Sequence, residues 1–234
     1  MTTDEQRIGD NYRRIVGRVA EAAERCGRSA DEVTVVAVTK YVTSDLMRPL
    51  LAVGCRDFGE SRPQQLWQKA AELAEFDDIR WHMIGHLQRN KVARTVTHAG
   101  LIHSVDSDRL LAAIDTAAAP EVQDVLLEVN VSGEAAKHGY QAAEIAGVLA
   151  GRQEHGHLRI VGLMGMAALV GGAAAARANF RALRELRDSL VEETGLTDCL
   201  QHLSMGMSGD YAIAIEEGAT IVRVGSALFA VDDA

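Results

Sequence analysis

The sequence predicts an α/β protein, a single (β/α)8 barrel of the TIM type with one extra helix at its N-terminus. Three observations predict it. Short apolar runs bounded by turn residues alternate with stretches of helical periodicity, the pattern of parallel strands joined by helices. The runs number about eight, which favours a closed barrel over an open doubly wound sheet. The 234 residues contain no long linker, low-complexity run or charge block, so residues 1–234 read as one domain.

Residues 4–26 read as an amphipathic helix. Ile8, Tyr12, Ile15, Val19 and Ala22 or Ala23 recur at three- and four-residue spacing on one face, and Gly27 stops it. The first strand, 33–39, is a run of β-branched and small apolar residues ending at Lys40, as expected of a strand buried on both faces. A helix over 44–53 starts at Ser44 and Asp45 and ends at Gly54. The second strand is 55–59, and Pro63 suits the first turn of the next helix, 63–75. A third strand over 80–84 precedes a helix over 88–96, and a fourth over 101–105 precedes a helix over 108–118 capped by Asp106 or Ser107.

The second half repeats the alternation. A strand over 122–131, a polar loop over 132–139 and a helix over 141–151 come first. Then follow a strand at 158–163, a long helix at 173–193, a strand at 200–203, a helix at 209–217 and an eighth strand at 219–224. The chain continues only about ten residues further, too few for a long covering helix, so the N-terminal helix is expected to cover that flank. His155 and His157 read as solvated loop residues, and His82 as a hydrogen-bonded barrel histidine.

Composition narrows the function. Hydrophobic content is 47% and charged content 24%, ordinary for a soluble globular protein. A net charge of −9 disfavours nucleic acid, which needs clustered Lys and Arg. Cys26, Cys55 and Cys199 form no CxxC pair, so neither a disulfide framework nor a zinc site is expected. No histidine–carboxylate group shows ligand spacing, so no metal is expected. The polar N-terminus lacks a signal-peptide core, and no apolar run spans a bilayer. A soluble, cytoplasmic protein without membrane partners is expected.

Barrels of this class build their sites at the C-terminal ends of the strands. The residues there are Lys40; then Gly59, Glu60 and Ser61; then Gly85 and His86; then Asp106; then Asn130 and the loop with Lys137 and His138. Met164-Gly165-Met166 follows the sixth strand, SMGMSGD (from Ser204) the seventh, and Gly225-Ser226 the eighth. Loops after strands seven and eight are frequent phosphate sites, and glycines with hydroxyls suit an anion there, although each also reads as an ordinary cap or turn. Arg223 lies inside the eighth strand, where a charge needs either a helix carboxylate or a ligand. A lysine that can form a Schiff base, a phosphate cup and an inward arginine suggest a phosphorylated aldehyde. Pyridoxal 5′-phosphate (PLP) and a sugar phosphate both fit, and spacing does not separate them.

Longer strings do. VVAVTK, DFGES, WHMIGHLQRNK, LLEVNVSGEAAKHG, GLMGM and LSMGMSGDYAIAIEEGATIVRVGSALF together resemble the YggS/PROSC family of PLP homeostasis proteins, over about residues 33–229. The resemblance implies a barrel like that of the alanine racemase N-terminal domain. It implies PLP held as a Schiff base on Lys40, and an arginine, Arg223, near the pyridine nitrogen in place of a carboxylate. The phosphate would sit against Ser204, Met205, Gly206 and Ser208 and against Gly225 and Ser226, with Ser61 also near the cofactor. The chain departs from the family at Ser61, where FGEN is usual, and at Ala230, where IFG is usual.

Alanine racemase-like enzymes carry a second, β-rich domain after the barrel, and this sequence stops at Ala234. The first expectation is therefore a non-catalytic carrier acting in B6 vitamer and amino-acid homeostasis. Its partners would be PLP, other B6 vitamers and apo PLP-enzymes, and it would be a monomer. A PLP enzyme with weak racemase or decarboxylase activity, its second acid/base drawn from Tyr41, His82, His86 or Tyr211, is the alternative. A PLP-independent Schiff-base aldolase is the third reading.

Overall fold

A computed structural model describes residues 3–134 and 138–231. Lys137, which the sequence places in the loop after strand five, lies outside the described residues.

Eight parallel strands close into a barrel in chain order: β1 (Thr34–Val38), β2 (Asp57–Glu60), β3 (Arg80–Met83), β4 (Leu101–Val105), β5 (Gln123–Glu128), β6 (Leu158–Met164), β7 (His202–Ser204) and β8 (Ile221–Val224). Closure comes from β1 pairing with β8, Thr34 opposite Ile221 through Ala37 opposite Val224. The helices are α1 (Asp4–Arg25), α2 (Arg48–Ala52), α3 (Pro63–Glu72), α4 (Val92–Thr95), α5 (Asp108–Ala118), α6 (Ile145–Ala150), α7 (Gly172–Thr194), α8 (Tyr211–Glu216) and α9 (Ser226–Phe229).

Period-2 alternation sorts each strand into an inner and an outer face. Val36, Leu126, Val161, Met164 and Ile221 fill the barrel interior. The outer faces, among them Val35, Ala37, Phe58 and Leu203, join the larger core beneath the helices. On β1 the inner series continues from Val36 through Val38 to Lys40, and on β8 from Ile221 through Arg223 to Gly225. Both series run to the same mouth.

The extra helix covers the flank expected of it. Thr3 and Gln6 form a reciprocal cap at its start. Its buried face (Ile8, Ile15, Val19, Ala22, Ala23) packs on α2, α8 and α9. Asn11 Nδ2 donates to the carbonyls of Leu228 (3.0 Å) and Ala230 (3.1 Å), fastening the start of the chain to its end.

Boundaries differ from the sequence reading in a few places. β5 stops at Glu128 rather than residue 131, because the chain then turns to pair with its own loop. Tyr140 N donates to Glu128 O, and Asn130 N donates to Tyr140 O. The helix at 88–96 is split into a 3-10 turn, Arg89–Lys91, and the short α4. His155 and His157 are half-buried instead of solvated: His155 Nδ1 lies 3.8 Å from Asp115 Oδ2, and the His157 amide donates to Asp115 Oδ1.

Candidate functional site

A cavity of about 570 Å³ opens at the C-terminal end of the barrel. Val38, Lys40, Tyr41, Ser61, Ile84, Met166, Ser208, Arg223, Gly225, Ser226 and Phe229 are among its lining residues. Six of the nine residues singled out from the sequence therefore meet around one space: Lys40, Ser61, Ser208, Arg223, Gly225 and Ser226.

Lys40 stands two residues beyond the end of β1. Its ammonium sits 4.9 Å from the Tyr41 ring centroid, and that ring is itself exposed. The residue before it is locked. Thr39 N donates to Gly59 O (3.1 Å), Thr39 Oγ1 donates to Glu60 Oε1 (2.6 Å), and Lys69 Nζ of α3 donates to Thr39 O (2.7 Å).

Arg223 is buried and lines the cavity. No helix carboxylate pairs with it among the described residues. Nη1 donates to Ser204 O (2.8 Å) and Ser204 Oγ (2.5 Å), and Nη2 to Gly165 O (3.2 Å). Burial pushes its pKa down to about 10, partly opposed by Glu128 and Asp210, so the group stays charged at neutral pH.

Ser204, Met205 and Gly206 do not line the cavity. They lie beneath it. Ser204 and Met205 are buried, and Ser204 spends its hydroxyl on Arg223 and His103. Gly206 takes φ +92° and a Cβ there would meet Ala214 Cβ at 2.5 Å, so the position requires glycine. Ser208 is not a helix cap: the residue before α8 is Asp210. Ser208 Oγ instead accepts from Gly225 N (3.1 Å) and Ala227 N (3.5 Å), joining the loops after β7 and β8.

Below Arg223 runs a chain of hydrogen bonds that the sequence did not disclose. Ser204 Oγ lies 2.8 Å from His103 Nδ1, His103 Nε2 lies 2.9 Å from His82 Nδ1, and His82 Nε2 lies 3.0 Å from Asp57 Oδ1. Burial, then His82 and Arg223, drive the His103 pKa well below the ordinary histidine range, so it is neutral. Asp57 resists in the other direction. Burial pulls its pKa up, but hydrogen bonds from His82 and Arg80 outweigh that and hold it at about 2. A carboxylate only accepts, so His82 Nε2 donates to Asp57 at one end of the chain, and Arg223 donates to Ser204 at the other. A signal was present in the alternation of β4, which puts His103 on the same face as Leu101.

Three further residues meet beside the cavity. His86 Nδ1 lies 3.2 Å and His138 Nδ1 3.8 Å from Asp106 Oδ2. They follow β3, β4 and β5, which are neighbours in the sheet but are separated in the chain by whole helices, so linear spacing gave no ligand pattern.

Comparison with known proteins places this geometry. The family model described as alanine racemase, N-terminal domain, matches residues 4–233. The chain belongs to that family. Among its relatives, a protein of Aquifex aeolicus named pyridoxal phosphate homeostasis protein is 39% identical, over 92% of this chain and 94% of its own. A solved protein of unknown function from Bifidobacterium adolescentis superposes with TM-score 0.90 at 35% identity, covering 96% of this chain and 95% of that one. PipY of Synechococcus elongatus, solved with PLP bound, gives TM-score 0.80 at 33% identity, covering 92% of this chain and all (100%) of that one. The alanine racemase N-terminal family thus supplies the eight-stranded barrel expected from the sequence. No helix among the described residues is long and apolar enough to cross a membrane.

Proposed function

We propose that this chain binds pyridoxal 5′-phosphate in the mouth cavity, as a Schiff base on Lys40, and acts in intracellular B6 vitamer and amino-acid homeostasis. One observation carries the reading: an amine, Lys40, and a buried guanidinium without a carboxylate, Arg223, face the same cavity of about 570 Å³. The residues present fit the group. Ser208, Gly225 and Ser226 offer hydroxyls and a close backbone for its phosphate, and a Cβ at Gly225 would already crowd Val38 Cβ at 3.3 Å. Met166, Ile84 and Phe229 offer apolar walls for a ring.

When bound, PLP supplies an aldehyde that condenses reversibly with amines. This chain's residues hold it. The lock on Thr39 fixes the root of Lys40, and the chain of hydrogen bonds under Arg223 fixes a permanent cation at the cavity floor. Arg223, a cation where a carboxylate could otherwise stand, would disfavour a proton on the ring nitrogen and so limit the electron sink that PLP would supply. Of the acid/base candidates only Tyr41 is in the cavity lining among the described residues, and it adjoins Lys40 in the chain with its ring 4.9 Å from the lysine ammonium, whereas two-base proton transfer needs a second group opposite the lysine. Both points favour a carrier over a racemase. On this reading the ligands are PLP and other B6 vitamers, apo PLP-enzymes are the acceptors, and the protein works as a cytoplasmic monomer.

The test is the visible absorption spectrum with and without added PLP, beside that of Lys40→Ala. A yellow band in the wild type that disappears in Lys40→Ala is expected. A wild type that stays colourless in excess PLP overturns the reading and leaves the Schiff-base aldolase to be tried with a sugar phosphate.

A further inference from the structure

We propose that His86, Asp106 and His138 form a site for a divalent transition-metal ion of the zinc class at the barrel mouth, beside the Lys40 cavity and separate from it. The residues come from the exits of three adjacent strands. One nitrogen from each histidine and one oxygen from Asp106 lie within 4.8 Å of one another. In a tetrahedral zinc site with ligands about 2.0–2.2 Å from the metal, ligand atoms stand roughly 3.3–3.5 Å apart. The separations of 3.2 and 3.8 Å from Asp106 Oδ2 are already close to that.

An ordinary ion pair accounts for less of the geometry. One histidinium would satisfy Asp106, yet two imidazoles turn the same atom, Nδ1, toward the same oxygen, Oδ2. Their ring centroids lie 4.6 Å apart at an interplanar angle of 22°. Two imidazole nitrogens and one carboxylate oxygen gathered within 4.8 Å of one another are a donor set suited to zinc, nickel or ferrous iron. The carboxylate is also steadied from behind. Ser107 Oγ donates to Asp106 Oδ1 (3.1 Å), the kind of outer contact that orients a metal-binding carboxylate. The β3 and β4 exits are tied together by Ser104 Oγ donating to Gly85 O (2.6 Å), next to His86.

Both histidines are exposed, so positions beyond the three protein ligands open to solvent, as in zinc sites that keep a water. None of the three residues lines the Lys40 cavity. Ser61 stands between, lining that cavity and also the small hollow that contains His86. The metal site does not rest on the cofactor reading and survives its failure.

The test titrates the full-length, untagged protein with Zn²⁺ by calorimetry and with Co²⁺ by visible absorption. It is done in a Lys40→Ala, Cys26→Ser background, so that neither lysine-bound cofactor nor the exposed thiol contributes a ligand. One ion per chain is expected, with Co²⁺ ligand-field bands. Asp106→Asn and His138→Ala should each weaken binding by at least about tenfold. Absence of saturable binding at one ion per chain, or binding unchanged by both substitutions, overturns the proposal. His138 is exposed on a loop, so its variant keeps the test decisive even if Asp106→Asn fails to fold.

Discussion

Lys69 Nζ lies 2.5 Å from Glu60 Oε1, with both side chains removed from solvent. The pair joins α3 to β2 and, through Thr39, to the root of Lys40. The other carboxylate oxygen, Glu60 Oε2, is buried and has no partner among the described residues. Removing one member of a buried pair strands the other charge, at about 3–5 kcal/mol. Lys69→Met should therefore lower stability by about that amount in urea unfolding. The double variant Glu60→Leu, Lys69→Met should recover most of the loss. A single-variant loss below about 1 kcal/mol would mean that water reaches Glu60.

Ser204 at the end of β7 and Ser208 in the loop after it should separate cleanly. Ser204→Ala removes an acceptor from buried Arg223 and a hydrogen-bond partner from His103, which should cost about 1–3 kcal/mol. It should also weaken PLP binding, since Arg223 loses part of its seat. Ser208→Ala removes a half-exposed link between two loops and should cost under about 1 kcal/mol while still weakening PLP. Denaturation and PLP titration on the same two variants decide it.

Acid should act on the barrel interior in two stages. His103 binds a proton far less readily folded than unfolded, so its contribution is intact above the ordinary value of 6.5 and declines as pH falls below it. Asp57 sits at about 2 against an ordinary 3.8. Its contribution, roughly 2 kcal/mol, is intact above about 4 and lost as pH falls toward 2. Urea midpoints between pH 7 and pH 3 should fall in that order, and Asp57→Asn should flatten only the lower stage. A stability independent of pH down to pH 4 would contradict the neutral His103.

Thiol reactivity should be sharply graded. Burial pushes the Cys55 pKa up to about 12, so its thiolate is scarce and shielded. Cys26 is exposed. Iodoacetamide followed by mass spectrometry should label Cys26 in the native protein and Cys55 only after unfolding.

The barrel was legible because its strands are short, apolar and separated by helical repeats, and because the strand exits could be read off without knowing any contact. That reading brought Lys40, Ser61, Ser208, Arg223, Gly225 and Ser226 to one mouth. It did not place Ser204, Met205 and Gly206 one layer lower, because a loop's depth depends on the register of β7, where a three-residue strand gives little pattern. Nor did it find the series Asp57, His82, His103, Ser204. Those residues stand on four different strands, and the last link, His103 to Ser204, forms only across the closed interior. The cluster of His86, Asp106 and His138 escaped because its members, though they follow neighbouring strands, lie far apart in the chain.

The seam of the barrel joins β1 to β8, and Lys40 and Arg223 stand on its two sides. The strand bearing the lysine is the first of the barrel to leave a ribosome, and the strand bearing the arginine is the last. No partly synthesised chain can possess the cavity, however well its early helices form. Yellow colour, once PLP is supplied, would then time the moment at which a newborn chain finishes folding, and the α1 clasp on Leu228 and Ala230 would be the final latch.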